Sequence, residues 1–453
     1  MRNRYPIALV GLLLGVTAWG QQDPSQAPAT PAPAFGQELP PPQVTLAPPV
    51  TSLDQASLEP AVAARSYLQP GVHLTESVNS NLGSNGTVGI TRILGSLDMT
   101  RFWNRYAFSA DYVGGASLYS DNWGQPTQVH EMTAAQRYSW RNGQIQVRDC
   151  LTYLPEGSFG FSGFNGVGGG ALGGSCGISG SGGTFGSLGN GSRLTNAATL
   201  DLRESLSPRS SITAAGGYTF TDFTNNTTNN TSQATRNSRQ ENAQVGYSRV
   251  LNHFDQLGLQ YGFDHFEFPL AAAGSINSQT IQVQFEHAVS GRMDLTLGAG
   301  PQFITLHPVQ TPTTSQVSVA ARAILRYKFS RDTISLSYNR HTTAGSGIQL
   351  GSQTDEVRAS LGRALTRLWT ASLDTGYSHH NALLPVPTNS NATGGSYQMG
   401  FGGGGLNRRL GRFFSLQMHY QYTYQLFSSN IASSNRHIGD ITLSWHPAPI
   451  RLD

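Results

Sequence analysis

The run FSLQMHYQYTYQ, residues 414–425, separates by parity: Phe414, Leu416, Met418, Tyr420, Tyr422 and Tyr424 fall on one side, and Ser415, Gln417, His419, Gln421, Thr423 and Gln425 on the other. A period of two is the signature of a strand with one apolar and one polar face. The same alternation returns in QTIQVQFEH, where Ile281, Val283 and Phe285 oppose Gln282, Gln284 and Glu286. It returns again in AARAILRYKF, where Ala321, Ala323, Leu325, Tyr327 and Phe329 oppose Arg322, Arg326 and Lys328. Similar runs follow one another from about residue 71 to residue 445.

The joins between runs alternate in length. Short turns are expected near 100–104, 142–143, 208–210, 252–254, 290–292, 330–332, 366–367 and 407–411. Longer polar joins lie around 117–128, 155–193, 224–239, 267–277, 305–314, 345–350, 380–395 and 427–433, and a further small join at 84–86, after a candidate strand at 71–83, completes the series. Nine loops and eight turns connect 18 strands, and the even count puts both chain ends on the short-turn side.

Composition decides what covers the apolar faces. The chain has 453 residues, 52 of them glycine, is only 12% charged and carries a formal net charge of +3. A large soluble sheet protein would surround its core with Lys and Glu, but these polar faces are mostly Gln, Ser, Thr and Gly. Lipid can cover every apolar face at once, and closing the sheet removes the edges that hydrocarbon would leave unsatisfied. The fold class expected is therefore all-β, a transmembrane antiparallel barrel of about 18 strands over residues 66–453. Residues 1–20 read as a signal peptide, with Arg2 and Arg4 before an apolar core and Ala18 and Gly20 before the cut. Residues 21–65 read as a Pro/Ala-rich periplasmic tether with a reach toward the cell wall.

With these features the chain resembles the bacterial outer-membrane β-barrels, especially porin-like and polysaccharide-export-like channels. The resemblance is architectural: signal segment, alternating strands, short turns, long loops, and aromatics near strand ends at Trp103, Trp140, Trp369 and Trp445. The closing segment alternates through Ile441, Leu443 and Trp445 but departs from the pattern of a last strand ending in an aromatic residue. The resemblance implies outer-membrane lipid and the barrel assembly machinery as partners, no nucleic acid, no cofactor and no bound metal. Oligomeric state stays open.

A charged Arg or Lys side chain on the lipid face costs roughly 2–4 kcal/mol at mid-membrane. Parity accordingly assigns Arg92, Arg148, Arg203, Asp264, Glu286, Asp294, Arg322, Arg326, Lys328, Arg358 and Asp374 to a wet lumen. Cys150 shares that parity, and Cys176 lies in the glycine-rich loop at 155–193; an exported chain can join them in a disulfide. That loop lacks the Gly-Lys-Ser/Thr ending of a phosphate-binding loop. Its small residues favour an infolded constriction, against an external cap or a surface loop.

For catalysis, His379, His380, His419, His437, His446, Ser415 and Asp440 are candidates, yet no GxSxG element or metal-ligand cluster accompanies them. A non-enzymatic channel for small hydrophilic solutes is the expectation. A polymer-export channel and a non-conducting structural or adhesive barrel are the alternatives.

Overall fold

The computed structural model describes residues 66–80, 86–121, 126–154, 192–223, 237–269, 274–309, 312–344, 350–384, 395–427 and 434–452. The signal segment, the tether, residues 155–191 and Cys176 lie outside the described residues. Everything described belongs to one compact unit.

Eighteen long strands follow in chain order: β1 (Tyr67–Asn79), β2 (Val88–Phe102), β3 (Tyr106–Tyr119), β4 (Thr127–Ser139), β5 (Gly143–Leu154), β6 (Arg193–Ser207), β7 (Ser210–Phe223), β8 (Ser238–Val250) and β9 (Asp255–Glu267) form the first half. The second half is β10 (Ser275–Ser290), β11 (Met293–His307), β12 (Thr314–Lys328), β13 (Asp332–Thr343), β14 (Ser352–Ala364), β15 (Trp369–Ala382), β16 (Tyr397–Leu410), β17 (Phe414–Phe427) and β18 (Ser434–Trp445). A two-residue strand, β19 (Ile450–Arg451), follows. Each long strand pairs antiparallel with its sequence neighbours, and β1 pairs with both β2 and β18, so the sheet closes. The registers, followed once around the wall, return displaced by about 22 residues, a stagger that tilts eighteen strands by roughly 40°.

The joins at one end span two to four residues and those at the other six to thirty-eight. One turn sits later than its sequence suggests: β16 runs on through Asn407, Arg408 and Arg409, which pair with Gln417, Leu416 and Ser415. The reversal waits for residues 411–413, where Gly411 adopts a φ of 86° that residues bearing a Cβ avoid. The strand β1 likewise begins earlier than residue 71, because Tyr67 and Leu68 are held between β2 and β19. Between β18 and β19 stand His446, Pro447, Ala448 and Pro449; the prolines lack the N–H that a ladder needs, and the register slips there by one residue.

Alternate residues along every strand point out of and into the barrel. In β1, Val72, Leu74 and Val78 are exposed while His73, Thr75, Ser77 and Asn79 are buried. Leu257, Leu259, Ile281, Val283, Leu297, Leu336, Leu373, Ile441 and Leu443 lie on the exposed side of their strands. Nothing but lipid could cover so continuous an apolar exterior. All four predicted tryptophans stand at the short-turn end: Trp103 and Trp140 in turns, Trp369 opening β15 and Trp445 closing β18. There the amphipathic rings form a girdle at the membrane boundary, with Arg101 over Trp103 and Arg408 over Trp369. A closed, apolar-coated barrel of eighteen antiparallel strands is an outer-membrane structure, and the protein resides there.

Candidate functional site

The enclosed face is built from the alternate residues of all eighteen strands. Its seam between first and last strands is joined by side chains as well as backbone. His73, 2% exposed, meets Ser444 Oγ through Nδ1 and Ser96 Oγ through Nε2, each at 2.8 Å. Thr75 and Thr442 meet at 2.9 Å, and Arg436 Nε donates to Asn79 Oδ1 at 2.6 Å. Parity in the sequence places His73 on this face, but only the register of β18 against β1 shows that it bridges three strands.

The charges on this face lie in short cross-strand groups. Arg92 on β2 is 4% exposed and donates to Ser77 Oγ at 3.1 Å. On β5 and β6, Arg148 reaches Asp201 at 3.9 Å, and Arg203 lies two residues further along β6 on the same face. On β11 and β12, Asp294 and Arg326 are register partners whose charged groups are 3.9 Å apart. On β14 and β15, Arg358 grips Asp374 with two guanidinium nitrogens, Nε at 3.0 Å and Nη2, while its plane also faces the Phe401 ring. Glu286 on β10 lies within electrostatic reach of Arg322 and Arg326 on β12, and of Arg203 on β6, four strands away in the other direction. Asp264 accepts from Gln240 Nε2 at 3.5 Å, and Lys328 stays exposed at the turn end of β12. Both signs therefore occur side by side along the face, with Arg148, Arg326 and Arg358 each beside an aspartate on the adjacent strand.

Between β8, β9 and β10 the same face carries an amide ladder. Gln260 Nε2 donates to Gln244 Oε1 at 2.6 Å, and Gln284 Nε2 donates in turn to Gln260 Oε1.

The candidate catalytic residues do not assemble into a site. His379 and His380 point to opposite faces of β15; the inward His380 is 1% exposed and stacks on Tyr397 at 4.2 Å. His419 meets Asp440 at 3.2 Å, a base with an orienting group. Ser415 lies four residues away along the same strand, about 13 Å, beyond reach of a direct proton transfer. His437 faces outward against Tyr420, at 2.8 Å, and His446 sits beyond β18 with its ring 5.1 Å from His73. Among the described residues, no three His, Cys, Asp or Glu side chains are grouped to hold a metal ion.

At the long-loop end the face changes character. Phe266, Phe268, Ile276, Ile304 and Leu306, on and beside β9, β10 and β11, turn inward and pack with Leu350 and Leu384 from the far ends of β14 and β15. Phe266, Ile276 and Ile304 are fully buried there. No sequence run singled these residues out, although parity already sets Phe266 and Phe268 on the polar side of β9.

No protein-family model matches the chain, and no curated protein matches it in sequence. Solved structures similar to it include the FrpB iron transporter (F5-1 variant) of Neisseria meningitidis, at 9% identity and a TM-score of 0.43, over 81% of this chain and 64% of that one. The chain thus spans under two thirds of that transporter's length. Pseudomonas aeruginosa OccK2 (OpdF) is similar at 11% identity and a TM-score of 0.44, over 84% of this chain and 97% of that one. The outer membrane protein OprD of Pseudomonas aeruginosa is similar at 10% identity and a TM-score of 0.41, over 86% and 96% of the two chains.

Proposed function

We propose that the protein is an outer-membrane channel through which small hydrophilic solutes pass by diffusion, without cofactor or chemical turnover. The observation that carries this reading is the enclosed face itself. It is lined by Ser, Thr and Gln and by cross-strand charge pairs, Arg148 with Asp201, Arg326 with Asp294 and Arg358 with Asp374. An eighteen-strand wall is wide enough to leave an aqueous or partly filled lumen between such side chains. Arg92, Arg148, Arg203, Asp264, Glu286, Asp294, Arg322, Arg326, Lys328, Arg358 and Asp374 are assigned as its charged lining. Purified protein in planar bilayers should give discrete, ohmic current steps. A folded sample silent across a range of voltages rejects the open-channel reading and leaves the structural or adhesive alternative.

The glycine-rich loop is assigned to the mouth of the channel, tied to the wall by a bridge from Cys176 to Cys150. In support, Cys150 is 3% exposed on the enclosed face, and no cysteine among the described residues is free. A peptide map under non-reducing conditions that shows two free thiols removes the bridge from this picture.

The amide ladder of Gln244, Gln260 and Gln284 favours a second reading, passage of a hydroxyl-rich polymer that exchanges hydrogen bonds with successive amides. Liposomes loaded with sugars of graded length distinguish the two, because a diffusion channel releases only the short ones.

A further inference from the structure

The wall is not uniformly closed. Ladder pairing between β12 and β13 runs only from Ala321 with Arg340 to Lys328 with Thr333. Continued by the same register, Ala320, Val319 and Ser318 would face His341, Thr342 and Thr343, but those pairs are absent. The upper part of β12 stays paired with β11 as far as Thr314, so its other edge carries no ladder among the described residues. Val317, on the outward face beside that edge, is 70% exposed, above the outward residues of fully paired strands such as Leu259 at 54% and Leu373 at 57%. One side-chain bridge spans the gap, Gln353 Nε2 to Ser318 Oγ.

The ends of β13, β14 and β15 nevertheless remain joined to one another. Gly351 N donates to Ala344 O at 3.0 Å, and Leu383 N donates to Gly351 O at 3.0 Å. This three-strand end carries Leu350 and Leu384 into the apolar cluster on β9, β10 and β11, with Ala344 and Leu383 packed against it. It therefore reaches past β12 to a part of the wall that is not its neighbour. Gly351 permits the approach twice over: its φ is +66°, and a Cβ there would lie 2.0 Å from Ile276 Cδ1.

Two arrangements of one strand end thus compete. Either β13 continues its ladder with β12 and the wall is regular, or it leans inward, leaves β12 unpaired and docks its leucines. Dry apolar contact across a mouth is also how hydrophobic constrictions exclude water and hydrated solutes. We infer that the inward-leaning ends of β13–β15 form an apolar constriction that sets which solutes enter the channel, and that it opens when β13 zips onto the unladdered edge of β12. This inference rests on the channel reading proposed above.

The test is a cross-link across the seam. Val319→Cys and Thr342→Cys are placed in a chain whose Cys150 and Cys176 are both Ser, because continued pairing would set those two positions directly opposite, within disulfide reach. The oxidised protein should show the bridge by mass mapping and a rise in conductance of about twofold or more, reversed by reductant, as removal of an apolar constriction predicts. Absence of the bridge, or a bridge with unchanged or lower conductance, overturns the inference. Gly351→Val, which the docked arrangement has no room for, should raise both the cross-link yield and the conductance. If the parent barrel conducts nothing, the channel reading fails by itself. The yield then still decides the inference: an increase with Gly351→Val supports it, and an unchanged yield overturns it.

Discussion

Asn196 Nδ2 donates to Asp149 Oδ1 at 2.8 Å on the outside of the barrel, midway along β5. The carboxylate stands between Val147 and Leu151 on its own strand and opposite Ala134 and Ala198 on the neighbouring ones, so it faces the apolar band. Asn196 also donates to the Cys150 carbonyl at 3.0 Å, which fixes its amide against the wall. A charge in this position is destabilising in lipid, though less so for Asp than for Lys or Arg.

Replacement of that carboxylate by an apolar group should strengthen the barrel. Asp149→Leu is expected to raise the unfolding free energy in bilayers by about 1–2 kcal/mol, measured by urea titration. A loss of similar size would show that another polar surface covers this face in the membrane.

Asn196→Ala should do the reverse and cost about 1–3 kcal/mol, because it removes a charge-assisted hydrogen bond and the amide held on the Cys150 carbonyl. In an Asp149→Leu background most of that cost should vanish. Additive effects of the two changes would mean that the residues are not coupled.

On the enclosed face, Arg358→Ala and Glu286→Gln remove charges of opposite sign. If both line the path, reversal potentials in a salt gradient should move in opposite directions, toward cation preference for the first and anion preference for the second, with the barrel still folded. Shifts of the same sign, or none, would remove these residues from the route taken by ions.

At the closing seam, His73→Ala deletes two hydrogen bonds that link β18, β1 and β2. The expected loss is about 1–3 kcal/mol in urea, since Ser444 stays buried without its partner. A neutral result would place the strength of the closure in the backbone ladder alone.

His446, beyond the end of β18, gives a pH dependence of definite sign. Burial holds its imidazole below the ordinary value of 6.5, with nearby Asp98 opposing the shift. The unfolded chain therefore takes up the proton more readily, and stability falls as pH drops through 6.5. The urea midpoint of the parent should fall more between pH 7.5 and 5.5 than that of His446→Gln, and equal slopes would contradict this.

The barrel was legible because a strand has only two sides. Parity alone put Arg322, Arg326 and Lys328 opposite Leu325 and Tyr327, and the alternating join lengths yielded eighteen strands. Parity also carried two signals that are easily passed over. In QIQVRDCLTY, the assignment that turns Cys150 inward necessarily turns Asp149 toward lipid. In the stretch ending FDHFEF, Phe266 and Phe268 occupy the inward parity, which marks an apolar patch inside a polar face. What parity cannot supply is contact between distant strands. The packing of Leu350 and Leu384 on β9–β11 depends on how far β13 leans from β12, and no local pattern encodes a missing ladder.

The shortest seam in the wall lies between β12 and β13, with eight residue pairs. The eight pairs between β1 and β18 are continued by two between β1 and β19, and that closure is reinforced by the hydrogen bonds of His73, Thr75 and Asn79. A cylinder with one short seam has one line along which lateral pressure in the bilayer bends it at least cost, and the strand ends beside that line are the ones that carry Leu350 and Leu384.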